Sequence, residues 1–437
     1  MNKTILKQII KEFQEFRFPL IYPRDIKIPL DSKKIVAISG PRRSGKTFLL
    51  FYQIKKLLAQ KVPRERILYI NFDDPRLLPF NSKDMEDLLE AYFELYPSFK
   101  NKRNFAFFDE IQNVKDWERS IRRIYDSQNF RIFLTGSSSK FLSKEIASSL
   151  RGRAINYELL PFSFREILKV KGVEIRPDTF YSKTRFTIKK LLSQYLKEGG
   201  FPEVVLEKNQ DVKIRILKEY LETMFFRDLV ERFNIKNQSV LREMIKYLTS
   251  NVASLFSLNA FWKWIKQTYP VGKKTLINYI SALEEIGIFF LVRKFSFSLK
   301  EQTQRPRKSY IIDNGLRTAY GFKFSQDMGK VLENSVFLEL KHRQAKDPLM
   351  EIFYWQDYQG KEVDFVIKRG RKIKELIQVC ANLEDFKVEK REINSLLKAG
   401  KETKCKNFLI ITEDCEKEEK VGNKKIKFIP LWKWLLE

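Results

Sequence analysis

The residues best suited to chemistry in this chain are eight in a row: Gly40, Pro41, Arg42, Arg43, Ser44, Gly45, Lys46 and Thr47. They follow the apolar run Ile35-Val36-Ala37-Ile38 and precede Phe48-Leu49-Leu50, after which Ile54, Leu57 and Leu58 keep helical spacing. A strand, a glycine-bounded loop and a helix in that order make a P-loop, whose backbone N–H groups curl around a polyphosphate. The helix N-terminus adds its positive dipole, Lys46 reaches the outer phosphates, and the Thr47 hydroxyl is a ligand for Mg²⁺.

A second constellation follows. The run Phe105-Ala106-Phe107-Phe108 ends in Asp109-Glu110, which offers one carboxylate, Asp109, to Mg²⁺ and another, Glu110, to polarise an attacking water. The next apolar run ends Leu134-Thr135-Gly136-Ser137-Ser138-Ser139. Its hydroxyls suit a sensor of the outer phosphate, with Ser137 as the candidate, or a cap for a helix starting near Lys140. In Leu150-Arg151-Gly152-Arg153 the guanidinium of Arg153 is a candidate to neutralise transition-state charge, in its own or a neighbouring subunit.

The elements that must position these groups are strand-like runs at residues 67–72, 105–108, 131–135 and 154–159, with helical patterns between the first several. Buried strands alternating with helices predict a parallel sheet covered on both faces. Such a sheet gathers its ligands at the carboxyl ends of its strands, where both Lys46 and Asp109 fall.

Composition bounds the rest. A chain of 437 residues should form about three domains. Its 43% hydrophobic content fills several cores, and no run is long and apolar enough to span a bilayer. The first residues lack a secretory pattern, which predicts a cytoplasmic protein with no membrane partner. One histidine, His342, and three cysteines exclude imidazole-rich metal sites, structural zinc and a disulfide framework. The net charge of +28 suits a nucleic-acid partner, or a lysine-rich solvated surface.

Together, residues 40–47, Asn71-Phe72-Asp73-Asp74-Pro75-Arg76-Leu77, Asp109-Glu110-Ile111-Gln112, the serine run, Gly152-Arg153 and Leu160-Pro161-Phe162-Ser163-Phe164-Arg165-Glu166 are similar to those of the archaeal and bacterial AAA-type ATPases. Members of that family carry a C-terminal domain of unknown function related to restriction-endonuclease folds. The resemblance spans nearly the whole chain and implies ATP with Mg²⁺ as cofactors, ATP hydrolysis, and homo-oligomers. Gly199-Gly200-Phe201-Pro202-Glu203 resembles the Gly-x-Pro element of signalling ATPases, which implies Pro202 near the nucleotide. A plain loop between two helices is the other reading.

From Ile214 to Phe322 the pattern is helical and ends in a hairpin, which predicts a winged helix-turn-helix. Lys273, Lys274 and Thr275 would open the recognition helix with Asn278 one turn on, while Arg305, Arg307 and Lys308 would line the wing and grip phosphates. The apolar face Leu276, Ile277, Ile280, Leu283 and Ile286 is assigned to packing. Winged helices that act only as lids leave an alternative without DNA.

Beyond Gly321, Glu333 on a helix, Asp364 on a strand and Gln378 on the next resemble the order of a restriction-endonuclease-like core, with Mg²⁺ as its metal. Gln378 stands where an acid is usual and Cys380 where a lysine is usual, so the signature is damaged, and Lys368, Lys372 and Lys374 are the substitutes nearby. Trp355, Trp432 and Trp434 are assigned to packing.

The expected fold class is α/β: a P-loop NTPase parallel sheet over residues 1–165, a helical connector over 166–212, a winged-helix domain over 213–322, and an α/β restriction-endonuclease-like domain over 323–437. The expected function is Mg²⁺-dependent ATP hydrolysis coupled to DNA binding or remodelling. The alternatives are a nucleotide-controlled signalling or assembly switch without DNA, and an ATP-regulated nuclease.

Overall fold

The computed structural model describes residues 1–127, 130–136, 150, 152–320, 328–381 and 386–437. The Ser137 expectation lies outside these residues. The chain divides into two compact units, one of residues 1–160 with 285–287 and one of residues 161–284 with 288–437.

The first unit is built on five strands: β1 (Ile35–Ser39), β2 (Ile67–Asn71), β4 (Asn104–Asp109), β6 (Phe130–Gly136) and β7 (Ala154–Glu158), with β3 (Phe80–Asn81) and β5 (Val114–Lys115) pairing apart. The sheet runs β2-β4-β6-β1-β7 and is parallel throughout. Side chains alternate between its faces. Ala37, Ala106 and Phe108 enter one core, and Val36, Ile38, Phe105 and Phe107 enter the other. Burial on both faces is why these strands read as unbroken apolar runs rather than alternating ones. Helix Lys46–Ala59 buries Leu49, Leu50, Gln53, Ile54 and Leu57, a stripe of three- and four-residue steps, against the second face.

The second unit carries an antiparallel sheet ordered β8-β10-β9, from β8 (Ser254–Phe256), β9 (Phe289–Val292) and β10 (Arg307–Ile311). Helices Leu258–Ile265 and Lys273–Glu285 lie between β8 and β9 in sequence. The segment between β9 and β10 contains helix Leu299–Gln304, and Arg307 and Lys308, expected to line the wing, lie on the central strand of the sheet. Ile277 is 49% exposed, because the buried stripe of its helix steps through Leu276, Tyr279, Ile280 and Leu283.

A six-stranded sheet completes this unit: β11 (Met350–Gln356), β12 (Glu362–Arg369), β13 (Lys372–Cys380), β14 (Phe408–Thr412), β15 (Lys417–Val421) and β16 (Lys424–Pro430), ordered β11-β12-β13-β14-β16-β15. Helix Met328–Lys346 buries every residue from 332 to 338. Trp355, Trp432 and Trp434 are buried, as packing requires. Among the described residues no helix is long and apolar enough to cross a membrane.

Candidate functional site

In the first unit β1 lies beside β6 and β6 beside β4, so the residues that follow or end these strands share the carboxyl edge of the sheet. The register fixes this: Ser39 sits opposite Gly136, and Phe108 opposite Leu134. Gly45 enters helix Lys46–Ala59 with φ of 94°, a left-handed turn natural to glycine. The loop closes on itself around Lys46, whose Nζ donates to the Gly40 and Pro41 carbonyls at 3.2 Å each. A Cβ on Gly40 would stand 2.2 Å from the Leu159 carbonyl oxygen, so the loop has room for glycine alone.

Asp109 and Glu110 face this loop with different environments. Asp109 is wholly buried, accepts hydrogen bonds from the Thr135 hydroxyl and from Tyr69 Oη at 3.0 Å, and is bonded by the Thr47 hydroxyl. Burial, and then the neighbouring Glu110 charge, raises the Asp109 pKa above the ordinary carboxylate range. Burial opposes the charge on Glu110 too, but Lys46, the Gln112 amide and Arg42 outweigh it and lower its pKa. Glu110 stands 3.7 Å from Lys46 Nζ, accepts a hydrogen bond from Gln112 Nε2 at 2.5 Å, and adopts φ of 53°. Its own N–H donates to Thr135 Oγ1 at 2.9 Å.

These residues fit a nucleotide with Mg²⁺. Thr47 and Asp109, the two expected metal ligands, are in contact, and the buried Ser44 hydroxyl has no partner among the described residues. Tyr69 and Arg24 were not singled out from sequence, and Thr135 and Gln112 stood there only inside longer motifs. Arg24 donates to the Ser44 carbonyl at 2.9 Å and to the Leu160 carbonyl at 2.6 Å, bracing the loop from outside. The missed signal is a polar residue inside or just after an apolar strand, as at Tyr69 and Thr135.

Arg153 requires a correction. It immediately precedes β7, whose Ala154 pairs with Ile35 at the start of β1. That is the amino edge of the sheet, a strand length of about 16 Å from the P-loop. Its guanidinium pairs with Asp126 at 2.9 Å, so a role at its own subunit's nucleotide is excluded.

In the second unit the resemblance-based elements meet at Asp313. The Asp313 carboxylate accepts from the N–H groups of Gly200 at 2.5 Å, Gly315 at 2.8 Å and Leu316 at 3.3 Å. Burial nevertheless pushes its pKa up to about 7. The Gly200 carbonyl accepts from Phe162 N, and a Cβ on Gly200 would stand 2.3 Å from the Phe162 carbonyl oxygen. Residues 199–201 connect helix Thr184–Glu198 to helix Pro202–Leu206, which Pro202 opens.

The expected DNA contacts separate into two groups. Lys273, Lys274 and Asn278 are exposed at the start of helix Lys273–Glu285 with Thr275 half-buried, and Lys273 Nζ lies 4.6 Å from the Trp262 ring centre. Arg305 is exposed on the segment before β10. Arg307 pairs with Glu284 at 3.2 Å. Lys308 is 2% exposed and cannot grip a phosphate. Its Nζ lies 2.8 Å from Glu333, 2.5 Å from Glu362 and 2.7 Å from Asp364.

This corrects the metal expectation for Glu333, Asp364 and Gln378. A lysine ammonium occupies the center that Mg²⁺ would need. Gln378 is also committed: its Oε1 accepts from Asp364 N at 3.2 Å, and its Nε2 donates to Glu392 at 2.6 Å. Burial first, then the Asp364 charge, raises the Glu333 pKa to about 8 against the pull of Lys308. Among the described residues no group of three or more acids, histidines or cysteines is arranged to hold a metal ion. The residues present do not fit one. Lys368 pairs with Glu351, while Lys372 and Lys374 are not buried, so none of the three replaces the missing lysine.

Comparison with known proteins agrees with the P-loop geometry. Residues 32–168 match an AAA domain, residues 189–327 a domain of unknown function (DUF8612), and residues 328–434 another (DUF4143). An uncharacterized protein of Methanocaldococcus jannaschii is 38% identical across 100% of this chain and 96% of its own length. The chain belongs to that protein's family, the AAA-type ATPases with a C-terminal DUF4143 domain. Another member, from Haemophilus influenzae, is 31% identical over 78% of this chain and 82% of its own. Among solved structures, the ORC2 protein of Aeropyrum pernix is 13% identical with a TM-score of 0.37, covering 66% of this chain and 86% of that one. The AAA domain ends just past β7, so Lys46, Thr47, Asp109 and Glu110 all fall within it.

Proposed function

We propose that this AAA-type ATPase hydrolyses ATP with Mg²⁺ and couples turnover to DNA. The observation that carries the hydrolysis is the contact of Thr47 with Asp109, beside a Glu110 that faces Lys46 across 3.7 Å. When bound, Mg²⁺ supplies charge neutralisation on the phosphates. Lys46 exchanges the Gly40 and Pro41 carbonyls for phosphate oxygens of the substrate ATP. Glu110, released from Lys46, keeps the Gln112 amide as its orienting partner and accepts a hydrogen bond from the attacking water. Tyr69 and Thr135 hold Asp109 in one rotamer. Arg153, at the far edge of its own sheet, is left to the nucleotide of an adjacent subunit in a homo-oligomer. Lys46→Ala and Glu110→Gln should each lower turnover by about 10²-fold or more, and wild-type ATPase activity in either variant would refute this reading.

DNA is supported by the net charge of +28, the exposed Lys273, Lys274 and Asn278, and a groove of about 650 Å³ in the second unit. The groove joins Lys368, Arg371, Lys372 and Lys404 to Phe297, a ring 78% exposed. Cations beside an open aromatic suit a nucleic-acid strand. A nucleotide switch without DNA is favoured by a different observation, the internal pairing of Arg307 and Lys308. Titrating labelled duplex and single strands at several salt concentrations separates the two. Affinity that falls steeply with salt supports the DNA reading, and no binding at low salt refutes it.

A further inference from the structure

We propose that Lys308 is the resident cation of the C-terminal acid cluster, standing where a divalent ion would stand and fastening β10 to β12 and to helix Met328–Lys346. An ammonium has three donors, and each is matched to one carboxylate: Glu333, Glu362 and Asp364. Glu362 and Asp364 are two residues apart on β12, so their side chains share a face. Glu333 comes from the helix, and the lysine comes from a sheet that precedes the whole DUF4143 region in sequence. The second oxygen of Asp364 accepts from Val379 N at 2.9 Å, and Glu333 accepts from Tyr310 Oη at 2.7 Å.

Two consequences follow from these contacts. A divalent ion would meet an ammonium at the center of its ligands, so the cluster takes no metal while Lys308 is in place. Removing the lysine alone would leave buried carboxylates without a counter-charge, which is strongly unfavourable. The same removal would also create a cluster with an appetite for a hard cation, since oxygen ligands suit such ions. The arrangement is therefore structural in the native protein and converts to a metal site only by loss of its lysine.

The test uses the full chain without nucleotide and Tb³⁺ as the probe, because Tyr310 on Glu333 is placed to sensitise lanthanide emission. Wild type and Asp364→Asn should give the same Tb³⁺ titration. Lys308→Met should gain an emission component that is lost when Asp364→Asn is added to it. Wild-type emission that Asp364→Asn removes would overturn the proposal, and so would a folded Lys308→Met protein that gains no emission. If Lys308→Met fails to fold, the combined Lys308→Met, Glu333→Gln and Asp364→Asn protein decides. A combined variant that folds and melts cooperatively supports a neutralising cation, whereas one that also fails to fold overturns it.

Discussion

Each unit buries a lysine beside acids, Lys46 in the first and Lys308 in the second, and the two ammonium groups are satisfied in opposite ways. Lys46 spends its hydrogen bonds on carbonyls of its own loop and keeps Glu110 at 3.7 Å. Lys308 spends all three on carboxylates at 2.5 to 2.8 Å. Carbonyls are neutral and are readily exchanged for phosphate oxygens, whereas a buried ion cluster must be broken before it can take anything else. The same side chain thus makes a receptive site in one place and a closed one in the other.

The sharpest way to break this comparison is to remove each working group from the receptive site. Lys46→Ala should lower ATP turnover by about 10²-fold or more, as loss of a charge-stabilising donor does. Glu110→Gln should cost about 10² to 10⁴ in turnover while ATP binding persists. Steady-state rates with an ATP-binding isotherm check both, and equal activity to wild type in either would dissolve the contrast.

Next in size is stability. Lys308→Met should destabilise the second unit by about 3–5 kcal/mol, because it strands buried carboxylates. Lys46→Met, which frees two loop carbonyls and removes one of the groups that hold Glu110 charged while Arg42 and Gln112 remain, should cost less, about 1–2 kcal/mol. Denaturant unfolding of the two proteins measures the difference, and equal losses would mean that the two lysines do the same work.

Asp313 sharpens the comparison through pH. Its pKa is about 7 in the folded chain against 3.8 when exposed. The native state therefore binds more protons between those values, and stability from this group is complete below about pH 4 and is lost as pH rises through 7. Thermal melts from pH 5 to 8 should fall with rising pH in wild type and fall less in Asp313→Asn. An unchanged slope would remove Asp313 as the titrating group. The smallest effect is expected from Gln112→Ala, a change in turnover of less than about tenfold, since one hydrogen bond to Glu110 is lost while Lys46 and Arg42 remain beside it.

The receptive site was legible in the sequence because its parts are local. Gly40, Gly45, Lys46 and Thr47 lie within one turn of loop and helix, and Asp109-Glu110 ends an unmistakable buried strand. The closed site was not legible, since Lys308, Glu333 and Asp364 are spread over some fifty residues and Lys308 reads as one cation in a basic stretch. One signal was present: Glu362 and Asp364 share one face of a strand whose next residues are apolar, and acids drawn toward a core demand a cation. Arg153 shows the reverse. Its place in sequence suited a finger for its own or a neighbouring subunit's nucleotide, and only the pairing of Ala154 with Ile35 put it at the far edge of its own sheet.

By itself, then, the sequence determined a P-loop at residues 40–47 and a parallel sheet behind it, because strand burial and loop turns depend on neighbours a few residues away. Only the tertiary structure decided which lysine meets which acid. That pairing depends on strand order and register, which place Lys308 of β10 against Asp364 of β12, and no local pattern encodes a contact between groups so far apart in the chain.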